Sequence, residues 1–517
     1  MRLDELLREL PSGTTLSGDG STVVLGVHQD SRQVGPGDLF VARKGTTVDG
    51  AAFLDQARER GAVAVLTDRD GPSTPLPCIR VDDVRTGLAL AAAAVYGHPA
   101  FGLDIVGITG TNGKTTTAHL VASAIDGVVG RPACGLVGTV GHRYRSLAIP
   151  ASHTTPEADD LARVLVQMRE LGATHVAMEV SSIALESRRV HAVRFCVAAF
   201  TNLTQDHLDY HGTMDRYADA KAELFTSHMP GSAVIHVGDP FGRALAQKVG
   251  SPLIRVTGEV GASSAEAEVA PVSLTLSARG IDARIRTPQG EIPLRSPLFG
   301  AHNLENLLVC LGVICALDLD VARAAAALEH EVGAPGRLER CETAADDVVV
   351  LVDYAHTPDA LGRVLASVRA LSTGRVLAVF GCGGDRDRTK RRPMGEAAAR
   401  GSDVAIVTND NPRTESGAEI AVPVVEGLRA AGLSELEAGA LPSGARGYMV
   451  ELDRTRAIQA AVDAARPGDI VVVCGKGHED YQIVGTERFP FDDRVVARQA
   501  LERRRRAARA SSAGSAA

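Results

Sequence analysis

Short apolar runs alternate with longer amphipathic or alanine-rich stretches along most of this chain, the pattern of strands and helices taken in turn. In the N-terminal part, Val23–His28, Asp38–Ala42 and Ala62–Thr67 predict strands, with a helix over Ala52–Arg60 ahead of the last. An alanine-rich helix over Thr86–Tyr96 stops near Gly97-His98-Pro99, a natural boundary. Next come a strand at Asp104–Thr109, a glycine-rich turn and a helix from Lys114. Leu161–Leu171 then reads as helix, and His175–Val180 and Val193–Phe200 read as strands. Such alternation predicts a mostly parallel sheet with helices on both faces. Residues Ala262–Pro297 alternate apolar and polar positions with few helix formers and predict a small antiparallel insertion.

After a second breaker, Ala334-Pro335-Gly336, strands follow at Val348–Asp353, Arg375–Gly381, Asp403–Thr408 and Asp469–Cys474. Helices such as Pro358–Leu371 and Ala418–Ala431 lie between them. This predicts a second doubly wound domain, in which ligands bind at the carboxyl ends of the strands. RRRRAARASSAGSAA predicts a basic helix end running into a disordered tail. No internal repeat is present. The expected fold is therefore α/β, with domains over residues 1–99, 100–333 and 334–500 and a tail over 501–517.

Composition narrows the class. A chain of 517 residues suits three domains. A net charge of −8, only 3% aromatic residues and no Trp argue against a nucleic-acid surface. The eight cysteines (Cys78, Cys134, Cys196, Cys310, Cys315, Cys341, Cys382 and Cys474) are scattered, form no CxxC pair and mostly sit in apolar runs. They read as buried free thiols of a reducing compartment. MRLDELLREL reads as a charged amphipathic helix rather than a signal peptide, and no stretch is long and apolar enough to span a bilayer. A cytosolic protein acting away from membranes follows from this reading; a monomer is expected, although the sequence leaves the oligomeric state open.

VGITGTNGKTTTAHL, Val106 to Leu120, carries the strongest chemistry. Strand, glycine turn and helix start come in the order of a phosphate-binding loop, whose backbone N–H groups cradle phosphates. Lys114 would reach the terminal phosphates and the Thr115 hydroxyl would bind Mg²⁺. The pattern departs from G-x-x-x-x-G-K-[ST] because Ile108 stands where the first glycine belongs; the shorter run from Gly110 is what is present. Glu179 follows an apolar run and reads either as a metal ligand at the sheet edge or as a solvent-facing strand end. Asp206, His207, Asp209 and His211 crowd one short stretch, which suits a capped polar loop, a Zn²⁺ site or, beside a nucleotide, Mg²⁺. Lys221 lies between alanines and reads as either a half-buried reactive lysine or a snorkelling surface one. TNDNPRTE, Thr408 to Glu415, holds Arg413 on a tight turn after an apolar run, where an arginine usually faces an anion. The alternative is an ion pair with Glu415.

GTNGKTT, MEVSS, FTNLTQDHLDYHGTMDRYADAK, GAHNLEN, VDYAHTPDAL, FGCGGDRD, DNPRTE and CGKGHEDYQ occur in that order and resemble the Mur ligases of peptidoglycan synthesis. The resemblance runs from Asp30-Ser31-Arg32 to Gly485. It implies an N-terminal UDP-binding domain, a central P-loop ATPase-like domain and a C-terminal Rossmann-like domain that takes the amino acid. It also implies a reaction. ATP phosphorylates the γ-carboxylate of the D-glutamate in UDP-N-acetylmuramoyl-L-alanyl-D-glutamate, an amine attacks the acyl phosphate, and phosphate leaves. A free carboxylate is too poor an electrophile for an amine, so two anions must be clamped together with Mg²⁺ neutralising them.

By matching position, the resemblance assigns the phosphates to Gly110, Thr111, Asn112, Gly113, Lys114, Thr115 and Thr116. Asn303, Asn306, Arg337 and Asp353 resemble further nucleotide contacts. Glu179 and His207 resemble Mg²⁺ ligands, and Lys221 the lysine that relatives carry as a CO₂-derived carbamate, an anion able to hold a second Mg²⁺. Ser31, Thr46, Thr47, Val48, Thr154, Thr155, Ser182 and Arg189 match positions that hold the UDP-sugar peptide. Three neighbours depart from the family pattern: His153 for Asn, Ile183 for His and Ser187 for Gln. Arg386, Asp410, Asn411, Pro412, Arg413, Gly475 and Glu479 resemble the amino-acid site. There a bidentate arginine suits the distal carboxylate of meso-diaminopimelate, and Glu479 the ammonium beside it. Competing readings are a lysine-adding relative, which lacks this arginine, and the folylpolyglutamate branch, which lacks the N-terminal domain. A non-catalytic regulator that binds nucleotide without ligating, against which the presence of Lys114, Glu179, His207 and Lys221 argues, and a paralogue with an altered acceptor complete the set.

Overall fold

The computed structural model describes residues 1–514 except 46–47, 69, 72, 262–265, 278, 344, 438–440 and 442–443. Two compact units form: one of Met1–Leu274, Ala283–Arg295 and His302–Glu329, and one of Thr275–Asp282, Ser296–Ala301 and the chain from His330 on.

The first unit holds two main sheets. The N-terminal one has five strands in the order Thr15–Ser17, Cys78–Val81, Ala64–Asp68, Asp38–Ala42 and Gly26–His28. The pairing is parallel except at Thr15–Ser17. Two of these strands escaped the hydrophobic pattern. Thr15–Ser17 is a half-exposed edge, and Cys78–Val81 is too short to show a period. The predicted strand at Val23 shrinks to Gly26–His28, because Val23 and Leu25 face solvent. The predicted helix Ala52–Arg60 opens as a 3-10 turn, Gly50–Phe53, before an α-helix over Leu54–Glu59.

The central sheet has eight strands, ordered Leu253–Val256, Ser232–His236, Val197–Phe200, Asp104–Thr109, His175–Glu179, Cys134–Gly138, Gly141–Tyr144 and Leu147–Ile149. Its first six strands are parallel, and the last two form an antiparallel edge. Asp104–Thr109 is flanked on both sides, so its C-terminal end opens in the middle of the sheet. Its residues from Ile105 to Thr109 are all buried, which is why it reads as an unbroken apolar run. Helix Ala158–Glu170 buries Ala158 and Ala162 in the N-terminal core and Leu161, Val164, Leu165 and Met168 in the central one. Ala270–Ser277, Gly280–Thr287 and Gly290–Ser296 form the small separate sheet expected between Ala262 and Pro297.

The second unit carries a six-stranded sheet: Glu339–Arg340, Val349–Asp353, Ile470–Cys474, Val376–Phe380, Val404–Val407 and Gly447–Val450. All but the first strand pair in parallel. Helix Gly417–Ala430 runs through Pro423. The stretch expected as a tail from residue 501 instead continues the helix Asp493–Gly514. Leu501 is buried against this unit, and Arg504 and Arg505 pair with Asp347 and Asp346, so the basic run is tied down as far as it meets acidic partners.

Candidate functional site

The phosphate loop leaves the buried strand at Thr109 and enters helix Lys114–Val129 at Gly113. Two glycines make that path possible. Gly110 sits at φ +151°, where a Cβ would strike the Thr201 hydroxyl, and Gly113 at φ +85°, where it would strike Asn306 Oδ1. The loop is held from outside: Thr111 N donates to Asn202 O (2.8 Å), Asn112 N to Asn202 Oδ1 (2.9 Å) and Thr201 Oγ1 to Asn112 O (2.6 Å). Lys114 Nζ folds back to donate to Gly110 O (2.8 Å) and Thr111 O (2.9 Å). Thr116 is buried in the first helical turn. Asn306 Nδ2 donates to Asn303 Oδ1 (3.2 Å), and Asn306 Oδ1 accepts from Thr117 Oγ1 (3.2 Å). Both asparagines therefore stand at the same helix start.

Glu179 ends its strand 2% exposed, which excludes the reading as a solvent-facing strand end. Its Oε2 accepts from Thr115 Oγ1 at 2.9 Å and its Oε1 from Thr139 N at 2.7 Å. A hydroxyl and a carboxylate thus meet beside the loop, a hard-oxygen pair of the kind Mg²⁺ prefers. Lys221 is more buried than the half-buried reading, at 1% exposure. Its Nζ donates to Gly110 O (2.8 Å) and lies 4.4 Å over the Tyr217 ring. Burial, then Lys114, push its pKa well down, with Asp206 acting against them. His207 sits at φ +51° with a half-exposed ring beside Asp206 (3.6 Å). Among the described residues no hydrogen bond joins it to Glu179 or Lys221, and no three His, Cys, Asp or Glu side chains form a ready metal cage. Mg²⁺ normally borrows phosphates and waters, so one or two protein carboxylates suffice.

The residues expected around the sugar peptide fall into two groups. Thr155 Oγ1 donates to Glu179 O (2.8 Å), Thr154 Oγ1 meets Thr139 Oγ1 (3.1 Å), and Arg189 Nη1 donates to Thr155 O (3.0 Å). Arg189 also pairs with Glu157 (2.7 Å), which Arg43 approaches at 3.4 Å. Burial and Arg43 lower the Arg189 pKa, and Glu157 opposes them. Ser182 Oγ meets His211 Nε2 at 2.9 Å, both buried, and His211 Nδ1 faces Glu186 at 3.3 Å. Ser31 Oγ donates to Gln56 (2.6 Å) in the N-terminal sheet region. Ser187 only closes its own helix by donating to Ile183 O (2.6 Å), His153 is exposed beside Ser152 (3.2 Å), and Val48 is exposed. Thr46 and Thr47 lie outside the described residues.

In the second unit the turn after Val404–Val407 carries Arg413 at φ +52°. Its backbone N–H donates to Ile483 O (3.1 Å) and its Nη1 to Gly384 O (2.8 Å). Among the described residues it makes no ion pair. Glu415, the alternative partner, is taken by Arg391 (2.9 Å) and Arg388 (3.1 Å), and the Arg391 hydrogen bond and then Asp385 N push its pKa down to about 2. Asn411 Nδ2 donates to Glu479 Oε2 (3.0 Å), and Asp410, whose Oδ1 has no hydrogen bond among the described residues, lies against Gly475. Burial raises the Glu479 pKa, with Asn411 and Lys476 opposing. Pro412 packs its carbonyl on Gly384, and Arg386 is exposed on the loop that Gly383 and Gly384 open. Asp353 is buried, accepting from Leu338 N (2.8 Å) and Ala355 N (2.7 Å). Arg337 lies 5.0 Å over the Tyr354 ring.

Sequence reasoning overlooked Thr139, Glu157, Arg43 and Lys476. Only Lys476 carried a signal, as the lysine between two glycines in CGKGHE.

Comparison with known proteins identifies the family. Three family models match in chain order: the catalytic domain of the Mur ligase family over residues 24–96, the Mur ligase middle domain over 108–314 and the glutamate ligase domain of Mur ligases over 336–477. The UDP-N-acetylmuramoyl-L-alanyl-D-glutamate–2,6-diaminopimelate ligase of Geobacter metallireducens is 45% identical, covering 96% of this chain and 97% of its own. That of Geobacter sulfurreducens is 46% identical over 96% and 98%. A solved structure of a ligase of the same name shares 31% identity at a TM-score of 0.69, covering 97% of this chain and 99% of that one. With every region matched and such likeness along nearly the whole length, the chain belongs to the Mur ligase family.

Proposed function

We propose that this protein uses ATP to join meso-diaminopimelate to the D-glutamate γ-carboxylate of UDP-N-acetylmuramoyl-L-alanyl-D-glutamate. The observation that carries the reading is Arg413, an arginine without a carboxylate partner among the described residues, set on the loop beside Asp410 and Glu479. The far end of diaminopimelate is an amino-acid group, so its carboxylate suits Arg413 and its ammonium suits Glu479. Lysine would set an ammonium against the guanidinium. Arg413 is partly buried, and a bound substrate covers it further, so a charge left unmatched there costs several kcal/mol and discrimination on the order of 10³-fold is expected.

The chemistry proceeds in two displacements. A γ-carboxylate oxygen attacks the terminal phosphorus of ATP, the bond to ADP breaks, and an acyl phosphate forms. The amine of diaminopimelate then attacks the acyl carbon, loses a proton, and expels phosphate as the C–O bond breaks. Gly110, Thr111, Asn112, Gly113, Lys114, Thr115 and Thr116 hold the phosphates. Thr115, Glu179 and His207 would hold Mg²⁺, which when bound neutralises phosphate charge. Lys221 is proposed to be carbamylated. Its uncharged, buried amine attacks CO₂, an N–C bond forms, and one proton leaves. Thr154, Thr155, Ser182 and Arg189 orient the dipeptide, and Ser31 the nucleotide end. A cytoplasmic monomer completes the proposal. Among the described residues no helix is long and apolar enough to cross a membrane.

The test is phosphate release from Mg-ATP and UDP-N-acetylmuramoyl-L-alanyl-D-glutamate with meso-diaminopimelate or L-lysine, using the native chain and Arg413→Ala. Turnover with diaminopimelate alone, lost in the variant, is expected. Equal turnover with lysine would overturn the selectivity. No turnover with either would overturn the reading and mean that the acceptor is another nucleotide-linked acid.

A further inference from the structure

The amino-acid loops hold one charged side chain that neither the motif reading nor the proposed chemistry uses. Lys476 is 0% exposed. Its Nζ donates to Asn411 Oδ1 (2.8 Å) and to Tyr481 O (2.8 Å). It also stands 3.6 Å from Asp410 Oδ1 and 3.6 Å from Glu479 Oε2. Asn411 Oδ1 additionally accepts from Ile483 N (2.9 Å). With its oxygen occupied by two donors, the Asn411 amide has one orientation left, and its Nδ2 must point to Glu479 (3.0 Å). The charge arithmetic is equally direct. Asp410 and Glu479 bring two negative charges and Lys476 one positive, while Arg454 and Asp493 offset each other, leaving one negative charge for a single substrate ammonium.

We propose that Lys476 is a positioning and specificity residue of the amino-acid site: it locks Asn411, aims the Glu479 carboxylate, and sets the local charge so that one substrate ammonium is accepted. This rests on the reading that the loop binds diaminopimelate. Lys476 does not touch the reacting atoms. It acts through Asn411 and Glu479.

The groups facing Lys476 are Asp410, Glu479, Arg454 and Asp493. Those facing Glu479 are Lys476, Asp410, Tyr354 and Tyr481. Removing the ammonium leaves two carboxylates side by side, so Glu479 holds its proton to higher pH and binds an ammonium less well near neutrality. At alkaline pH the carboxylate is recovered.

The experiment compares the native enzyme, Lys476→Met and Lys476→Arg in the full reaction at pH 7.5 and 9.5. The KM for diaminopimelate is expected to rise about tenfold in Lys476→Met at pH 7.5, the scale of a lost charged hydrogen bond. The KM values for ATP and the UDP-sugar peptide should stay within about twofold, the scatter of a change that leaves their contacts in place. The rise should shrink at pH 9.5, and Lys476→Arg should keep the native pH dependence. A diaminopimelate KM unchanged in Lys476→Met, or raised equally at both pH values or for all three substrates, would overturn the proposal. If the methionine variant loses its melting transition, Lys476→Gln, uncharged but still a donor, replaces it with the same expectations. Failure of the native enzyme with diaminopimelate would instead refute the reading of the substrate.

Discussion

Single residues decide the chemistry, and Lys221 is the clearest case. Its neighbours in sequence are alanines, equally suited to a surface helix, yet the fold buries it against Gly110 O and the Tyr217 ring. An amine buried there beside Lys114, with Asp206 as the opposing charge, is favoured as the neutral nucleophile. Turnover is therefore expected to fall in CO₂-depleted buffer and to return with added bicarbonate. Lys221→Ala should lose about 10² or more in kcat, the scale for a misplaced phosphoryl-transfer group. Turnover indifferent to CO₂ would mean that the lysine works as an amine. Arg413 shows the same dependence on context. Only the structure reveals that Glu415 belongs to Arg391 and Arg388, which leaves the Arg413 guanidinium on Gly384 O.

At the scale of elements, the junction of Asp104–Thr109 with Lys114–Val129 depends on backbone shape. Alanine at position 113 would carry a Cβ in the left-handed region and into Asn306. Gly113→Ala should cost about 1–2 kcal/mol of stability from backbone strain alone. It should also lower kcat/KM for ATP about 10²-fold through loop displacement, read from steady-state kinetics. A second junction ties helix Arg454–Ala464 to helix Asp493–Gly514. The Arg454 guanidinium donates to Asp493 at 2.7 and 2.6 Å, with both side chains fully buried. Asp493→Asn leaves that cation uncompensated and should destabilise the protein by about 3–5 kcal/mol in urea unfolding. The double variant Arg454→Met/Asp493→Leu should recover part of the loss. Equal losses in both would show that the charges are not coupled.

At the scale of the whole molecule, stability depends on pH through histidines that burial keeps neutral. Burial lowers the pKa of both His228 and His302 to about 4. In the unfolded chain they protonate near 6.5. Between those values the unfolded state binds more protons, so stability is fully present above pH 6.5 and is lost as pH falls toward 4. At pH 5 the loss is on the order of 1–2 kcal/mol for each histidine. The melting temperature should therefore drop between pH 7.5 and 5, and His228→Asn should flatten the drop. An unchanged slope would assign the acid sensitivity elsewhere.

The sequence by itself determined the alternation of strands and helices, the phosphate loop, the order of the motifs and hence the family. Each is a local or near-local pattern: burial on both faces makes a continuous apolar run, and a glycine turn before a helix is dictated by backbone geometry. The tertiary structure decided the rest. Edge strands such as Thr15–Ser17 and Gly447–Val450 are short and carry too little periodicity to be legible. The C-terminal basic run is tied down through Arg505 because acidic residues far earlier in the chain meet it. The burial of Lys221, the partners of Glu415 and the lock that Lys476 places on Asn411 all join residues far apart in sequence or on separate loops. Composition and spacing cannot convey such contacts, because they depend on which groups the folded backbone brings within hydrogen-bond reach and away from water.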